Sequence, residues 1–451
     1  MKIEKISITG LFGVFDHVIS LNQEDRITII HGPNGFGKTS ILRLIDGLFN
    51  SNYSVFNSIP FTNLKVDFDD GNTLDVTLEI NDDYPDGTPC ISHSSDPNNN
   101  FYTQSTIELS QNTIDLLSIL TKSIPELHRI DRNEWLYIPT NEIFSFADII
   151  YYFEDRIPQR FLRDIKKPDW LEKIQKNINI KLVKSQRLAS FYSRENSEDS
   201  NLEVWMQPTI LEYAQELADL IRSARTEYGT VSQSLDRTFP VRLVQHSTKS
   251  KFTKEELRYQ LDALEKHRYH LIDLGLLDRG EDSEFQIPKT EIDKSTQSIL
   301  SVYIEDVKKK LDVFQKVAKK IELFRKVINH KFQYSYKKIQ FDEEHGFVVT
   351  VSDHPLSYEY NGQILDLTEL SSGEQHELVL LYELLFKVKP NSLVLIDEPE
   401  LSMHVGWQSE FLQDLQDIIK LADIDILMAT HSPDIIQDRW NWTVELKRPK
   451  S

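Results

Sequence analysis

The stretch from Gly32 to Thr39 limits what this chain can fold into more than any other. It follows the β-branched segment 27–30 and precedes apolar residues at helical spacing, so it is predicted to join a strand to a helix. Glycines let backbone N–H groups turn toward an anion, and a helix N-terminus adds partial positive charge. The predicted phosphate-binding residues are Gly32, Pro33, Asn34, Gly35, Phe36, Gly37, Lys38, Thr39 and Ser40. This pattern favours a nucleoside triphosphate site over an ordinary glycine-rich turn.

Two acidic residues follow a second apolar segment, 392–396. A buried parallel strand presents its carboxyl end to the ligand-binding edge of an α/β sheet. Asp397 is therefore predicted to complete a Mg²⁺ site with the Thr39 hydroxyl, since Mg²⁺ prefers oxygen ligands. Glu398 is placed to polarise the attacking water, and Lys38 to reach the β- and γ-phosphates. The alternative is that both acids are turn residues.

His431 follows a third apolar segment, 427–429. The residues between Glu398 and His431 leave room for a helix at 406–420 and one parallel crossover. His431 is thus predicted to sense the γ-phosphate and to hold the attacking water. The alternative is a structural histidine.

A further anion-binding turn is predicted at Leu370–Gln375, before a helix at 376–387. Serine and glycine at a helix N-terminus suit an anion. The predicted nucleotide-binding residues of this turn are Ser371, Ser372, Gly373 and Glu374. One nucleotide does not need two such turns, so two chains are expected to share them, each offering its turn to the nucleotide of the other. The alternative is a helix N-cap with nothing bound.

The charge and cysteine content narrow the class of protein. The 451 residues carry a formal net charge of −20, which disfavours indiscriminate binding to nucleic-acid phosphates without excluding a local basic groove. Cys90 is the only cysteine, so the chain has no intrachain disulfide and no cysteine-rich zinc site. No run of about 18 apolar residues occurs, and the N-terminus lacks a signal-peptide pattern. We expect a cytoplasmic protein without a membrane partner.

The pattern along the chain predicts three parts. Residues 1–81 and 334–451 combine strands with helices and are predicted to form the two parts of one nucleotide-binding domain. Residues 82–333 are predicted to form a mainly helical insertion between them. From this insertion, a strand near 178–188 is expected to return to the nucleotide-binding domain.

Within the insertion, the pattern changes several times. Residues 82–104 are rich in turn residues and are predicted to form a loop, whereas 105–175 are predicted to be irregular and mostly helical. Residues 210–235 and 300–328 have sustained seven-residue apolar spacing. This spacing favours a coiled coil over helices packed on a globular domain.

Together, these motifs resemble the head of an ABC-type ATPase of the RecF, SMC and OLD-like branch of the AAA family ATPases. The resemblance covers the Walker A motif at 32–39, the signature at Leu370–Gln375, the Walker B motif at 393–398 and the switch histidine at His431. It implies an α/β P-loop fold with a mixed sheet and flanking helices, and ATP with Mg²⁺ as cofactors. It also implies a head-to-head dimer with two nucleotides at composite sites. A glutamine-bearing loop that contacts Mg²⁺ is implied too, for which Gln104 and Gln186 are candidates.

Two departures from those families narrow the expected function. The insertion is much shorter than an SMC arm, and the residues after His431 are too few for the metal-nuclease domain of OLD nucleases. A head of this layout is similar to the ATPase subunits of bacterial anti-phage systems, such as AriA of PARIS and PtuA of Septu. That resemblance implies a homo-oligomeric ATPase that acts as sensor and scaffold for a separate effector, a nuclease or a toxin, with a phage protein as trigger.

Two alternatives stay open. One is a RecF-like DNA-repair ATPase that binds duplex DNA, which the net charge of −20 disfavours. The other is a non-hydrolysing module that uses ATP only to hold a dimer together. The presence of both Glu398 and His431 argues against that second alternative.

Overall fold

The chain forms two compact units. The computed structural model describes residues 1–81, 84–94, 102–103, 127–131, 134–137, 142–145, 169–183, 189–195, 202–246, 252–278, 293–352 and 362–448. Unit 1 comprises Met1–Pro208 and Lys387–Ser451, and unit 2 comprises Thr209–Phe386. Both segments that carry the Walker-like motifs therefore belong to unit 1.

The described strands are β1 (Ile3–Leu11), β2 (Phe15–Ser20), β3 (Ile27–His31), β4 (Asn63–Phe68), β5 (Thr73–Asn81), β6 (Tyr84–His93), β7 (Tyr102–Thr103), β8 (Leu127–Asp131), β9 (Glu134–Tyr137), β10 (Glu142–Ser145), β11 (Asn179–Val183), β12 (Ala189–Glu195), β13 (Leu202–Pro208), β14 (Lys337–Asp342), β15 (Gly346–Val351), β16 (Ile364–Leu365), β17 (Ser392–Asp397), β18 (Asp425–Ala429) and β19 (Thr443–Glu445). The described α-helices are α1 (Lys38–Asn50), α2 (Ser54–Ser58), α3 (Asp169–Asn177), α4 (Thr209–His246), α5 (Lys254–Asp273), α6 (Lys294–Asp312), α7 (Gln315–Phe332), α8 (Ser372–Tyr382), α9 (Val405–Gln408), α10 (Phe411–Ala422) and α11 (Pro433–Ile436).

A parallel sheet in unit 1 carries the predicted site. Its order is β11-β17-β18-β3-β19, and every neighbouring pair is parallel. β3 and β17 are buried along most of their length, as aliphatic strands covered on both faces should be. Helix α1 packs on this sheet and buries Ile41, Leu44 and Ile45, each contributing about 2 kcal/mol. Because the strands are parallel, the carboxyl ends of β3, β17 and β18 lie at one edge of the sheet.

The strand predicted near 178–188 is present as β11. It pairs in parallel with β17, so that Leu182 lies opposite Leu395. The predicted helix at 406–420 is instead two helices, α9 and α10, because the chain leaves the helical path at Ser409 and Glu410. These elements complete the connection from β17 to β18.

A second sheet in unit 1 has the order β2-β1-β4-β5-β6-β7 and is antiparallel. The turn between β4 and β5 contains Gly71, whose φ of 82° suits a glycine. The predicted loop at 82–104 is wrong where it is described, because β6 pairs with β5 and β7 pairs with β6. Proline and glycine obscure the alternation of β6, and pairing with β5 overrides that local signal. The turn-rich segment 96–100 lies outside the described residues.

The prediction of mostly helical structure over 105–175 is also wrong where the chain is described. Strands β8, β9 and β10 form an antiparallel sheet in the order β10-β9-β8. Strands of four or five residues are too short for their periodicity to be recognised reliably. Helix α3 is the described helical part of this region.

Unit 2 is mainly helical, with the antiparallel sheet β14-β15-β16. Helix α4 packs against β15, α6 and α8, while α5 packs against α6. The apolar spacing over 300–328 predicts one helical segment, but α6 ends at Asp312 and α7 begins at Gln315. Phe314 lies wholly buried between them, so the spacing continues across the break. The coiled coil stays a prediction.

The two units together confirm the predicted fold class. This is an α/β fold that combines parallel and antiparallel sheets with flanking helices and a large, mainly helical insertion. Among the described helices, none is both long enough and apolar enough to cross a bilayer.

Candidate active site

The loop between β3 and α1 has the backbone shape that its glycines predict. Gly35 and Gly37 have φ of 82° and 88°, in the left-handed region that favours glycine. A Cβ atom on Gly37 would overlap with the buried side chain of Leu11, so any other residue there would require Leu11 to move. Gly37 is the N-cap of α1, and no side chain caps that helix among the described residues. The first turn of α1 is therefore open to an anion.

His17 forms a hydrogen bond with the backbone of this loop, a contact that the sequence does not reveal. Its Nε2 lies 3.1 Å from the carbonyl oxygen of Phe36, and the ring is buried. Burial lowers the pKa of His17, against the effect of the hydrogen bond to Phe36, so a neutral ring donates from Nε2. The Phe36 ring packs against Phe15 at 5.0 Å between centroids. The ring of Phe36 is thus packed against Phe15, and a role of Phe36 in a nucleotide site stays a prediction.

Lys38 lies across the loop. Its Nζ donates to the carbonyl oxygens of Gly32 at 3.1 Å and Pro33 at 3.4 Å, and it contacts His431 Nε2. Burial lowers the pKa of Lys38, while the nearby carboxylates of Glu398 and Asp397 oppose that shift. The ammonium group is held where a phosphate could replace the carbonyl oxygens as its partner.

Thr39 and Asp397 meet as the sequence predicts. The Thr39 hydroxyl donates to Asp397 Oδ1 at 3.1 Å. Burial raises the pKa of Asp397 to about 6; the Thr39 hydrogen bond opposes this, and repulsion from Glu398 adds to it. Neighbouring ligands of an octahedral Mg²⁺ ion lie about 2.9 Å apart. The 3.1 Å between the Thr39 and Asp397 oxygens is therefore compatible with two neighbouring ligands of a Mg²⁺ ion. The positive charge of that ion would also stabilise the ionised Asp397 carboxylate, which burial disfavours.

Glu398 and His431 also lie together. Glu398 Oε1 is 3.5 Å from His431 Nε2. The backbone of Glu398 is left-handed, with φ of 43° and ψ of 57°, and its N–H donates to the carbonyl of Ala429 at 2.9 Å. A non-glycine residue in that conformation is strained, and such strain is concentrated at functional sites. The turn directs Glu398 back toward the end of β18.

The predicted signature residues lie in unit 2, at the start of α8. Ser371 is the N-cap, and a reciprocal pair of hydrogen bonds joins it to Glu374. Glu374 also accepts from Lys337 Nζ at 2.8 Å. Burial alone raises the pKa of Glu374, but the hydrogen bonds from Lys337 and Ser371 outweigh it and lower that pKa. A role of Ser371, Ser372, Gly373 and Glu374 in a nucleotide site stays a prediction.

The structure thus brings the Walker-like residues and His431 together around one loop. Gln104 and Gln186, the candidates for a glutamine loop, lie outside the described residues. Among the described residues, no group of three or more His, Cys, Asp or Glu side chains is placed to hold a metal ion. Sequence reasoning missed two contacts of the site, that of His17 with the Phe36 carbonyl and that of Glu400 with the His431 N–H. Only the proximity of Glu400 to Asp397 could have pointed to one of them.

The fold and the site together define a P-loop nucleotide-binding protein. The chain belongs to the AAA ATPase domain family, whose sequence profile matches residues 1–436. Protein ea59 of Escherichia phage lambda is 38% identical over 72 residues, which is 16% of this chain. The chain spans only 14% of the length of that relative.

Solved SMC heads are also similar. The Smc head domain with an extended coiled coil bound to the C-terminal domain of ScpA, from Pyrococcus furiosus, is 13% identical, with a TM-score of 0.36 over 99% of this chain and 94% of that one. The SMC head domain from Thermotoga maritima is 10% identical, with a TM-score of 0.33 over 97% and 92%. The family assignment rests on the profile match, not on these structures.

Asparagine at position 397 is expected to stabilise the nucleotide-free protein. A carboxyl group whose pKa is raised from 3.8 to about 6 destabilises the fold when ionised, so stability falls as pH rises through that window. Asp397→Asn removes this cost and still accepts from Thr39. Thermal unfolding should therefore give a higher Tm than wild type above pH 6, and the gap should close as pH falls.

Asp70 provides the matched control. It is exposed, and the backbone hydrogen bond from Asn72 lowers its pKa. Asp70→Asn should give no such gain in Tm at neutral pH. If the Tm of Asp397→Asn at neutral pH is equal to or lower than that of wild type, the ionised Asp397 carboxylate does not destabilise the fold.

Proposed function

We propose that this protein binds ATP with Mg²⁺ and hydrolyses it. The observation that carries this proposal is the meeting of Lys38, Thr39, Asp397, Glu398 and His431 at one edge of the parallel sheet. A phosphate-binding loop alone would suit many ligands. A loop with an adjacent metal-ligand pair and an acid–histidine pair suits hydrolysis of a triphosphate.

Each residue has a separate part in that reaction. Lys38 and the first turn of α1 bind the phosphates, while Thr39 and Asp397 hold the metal ion, which neutralises phosphate charge when bound. Glu398 takes the proton from the attacking water, because its carboxylate is partly exposed beside the loop and within reach of His431. His431, within reach of both Lys38 and Glu398, orients that water and contacts the γ-phosphate.

A second copy of the chain completes the site in this proposal. The start of α8 would contact the nucleotide of the partner, as the resemblance to ABC-type heads implies. Ser371 and its capping partner Glu374 support the proposal, since the Lys337 ammonium compensates a carboxylate that would otherwise repel a phosphate. The proposed assembly is therefore a head-to-head homodimer or a larger homo-oligomer.

We further propose that this ATPase is the sensor and scaffold subunit of a bacterial anti-phage system. Support comes from the resemblance in motif order and in the size of the insertion. The ATP-bound oligomer would hold a separate effector, a nuclease or a toxin, and release it when a phage protein is sensed. A RecF-like role on duplex DNA is the competing hypothesis, and the net charge of −20 disfavours it.

The test is affinity purification of the Glu398→Gln protein with ATP, from cells that carry its neighbouring genes. A stoichiometric protein partner that is absent without ATP supports the scaffold. Recovery of DNA alone supports the repair hypothesis instead. Lys38→Ala serves as the control, because it should recover neither partner if nucleotide binding drives assembly.

A further inference from the structure

Glu400 links the ends of two strands that carry the proposed chemistry. It lies in the short 3₁₀ turn Pro399–Ser402 that follows Glu398. Its Oε1 accepts the backbone N–H of His431 at 2.6 Å. A carboxylate that accepts from a backbone N–H makes a charge-assisted hydrogen bond, which is stronger than a neutral one.

This contact adds to a second one between the same strand ends. The Glu398 N–H donates to the carbonyl of Ala429, which ends β18. Glu398 and His431 are thereby joined through main-chain and side-chain contacts on either side of Thr430, which is wholly buried. Glu400 therefore contacts the peptide group that precedes the His431 side chain.

The second carboxylate oxygen of Glu400 lies in an environment that is unfavourable for a charged group. Oε2 is buried and has no hydrogen-bond partner among the described residues. The side chain as a whole is only partly buried, but a buried oxygen without a hydrogen bond is unfavourable and calls for an explanation. Orientation of His431 provides one.

We propose that Glu400 is a positioning residue, which holds the His431 backbone so that the imidazole stays between Lys38 and Glu398. This inference rests on the proposed ATP hydrolysis. It assigns to Glu400 no contact with the nucleotide.

The kinetic test is a double-mutant cycle. Glu400→Ala should lower kcat by up to about 100-fold with little change in ATP affinity, as expected when a reacting group is misplaced. Glu400→Gln keeps an acceptor oxygen and should stay close to wild type. The double variant Glu400→Ala/His431→Ala should be within about twofold of His431→Ala alone, since both changes remove one function. Glu24→Ala, at an exposed glutamate before β3, is the control for losing a carboxylate.

Two outcomes would overturn the proposal. If the two losses multiply in the double variant, Glu400 acts independently of His431. If kcat falls as much in Glu400→Gln as in Glu400→Ala, Glu400 acts through its negative charge and not by orienting the His431 backbone. Thermal unfolding of each variant identifies any that fails to fold. If Glu400→Ala does, the cycle is repeated with Glu400→Asp, which keeps the charge but withdraws the carboxylate from the His431 N–H.

A second measurement does not need hydrolysis. In protein labelled with ¹⁵N-histidine, the His431 amide can be assigned among the 13 histidines by its loss in His431→Ala. Its proton resonance should move upfield in Glu400→Ala, because the charge-assisted hydrogen bond is gone, and less in Glu400→Gln. An unchanged resonance in Glu400→Ala would disprove the contact. If wild type hydrolyses no ATP, the proposed function fails, yet this spectrum still decides whether Glu400 positions His431.

Discussion

Glu398→Gln is expected to bind ATP as wild type does and to hydrolyse it about 10²- to 10⁴-fold more slowly, the usual contribution of a general base. Glutamine keeps the shape of the side chain but cannot take a proton from water. The left-handed turn at Glu398 depends on the backbone and on the N–H donated to Ala429, neither of which the substitution alters. The loss should therefore appear in kcat and leave nucleotide affinity unchanged.

Single-turnover hydrolysis and equilibrium binding, measured on the same preparation, check this expectation. Glu445→Gln is the matched control, because Glu445 is largely exposed at the end of β19 and forms an ion pair with Lys447 across 3.5 Å. Turnover that survives in Glu398→Gln would remove Glu398 as the base. Turnover that falls equally in Glu445→Gln would indicate that the loss comes from a change in overall charge.

The positions of the candidate site residues could be predicted from the sequence because each motif is a short continuous segment. Gly35 and Gly37 take the positive φ that the motif requires, and Thr39 meets Asp397 because parallel strands end at one edge of the sheet. The local signals of turn, strand and helix agree there with the global fold. Where they agree, the structure of a motif can be predicted from its residues alone.

The contacts that were missed are tertiary. His17 alternates with exposed neighbours on β2, so its burial could be predicted, but its partner Phe36 comes from another element. The link from Glu400 to His431 depends on how the turn after β17 approaches the end of β18. No spacing in the sequence encodes that approach.

The wrong predictions have a related cause. β6 contains Pro85, Gly87 and Pro89, which indicate a turn locally, although the strand pairs with β5 along most of its length. The break at Val313 and Phe314 is hidden for the opposite reason, because the buried Phe314 preserves the apolar spacing where one helix ends and the next begins. Periodicity reports which side chains are buried and does not report backbone continuity.

Lys38→Ala is expected to lose ATP binding, with affinity lower by about 100-fold. Hydrogen bonds to a charged group contribute about 1.5–3 kcal/mol, and 1.4 kcal/mol is a factor of ten. The ammonium already lies against the carbonyl oxygens of Gly32 and Pro33, and its carbon chain is buried, so little further ordering is needed on binding. The expected loss is therefore close to the full value of the contact.

Isothermal titration with a non-hydrolysable ATP analogue and Mg²⁺ checks this value, and Lys447→Ala is the matched control. Lys447→Ala removes the same charge as Lys38→Ala, but from a side chain that is 76% exposed. Lys447 is also near the loop in the sequence, because it follows Leu446, which packs against Gly32. A general electrostatic effect of lysine would weaken both variants alike. Wild-type affinity in Lys38→Ala would refute the phosphate site itself, and with it the proposals for Glu398 and His431, because both act on a nucleotide that Lys38 holds.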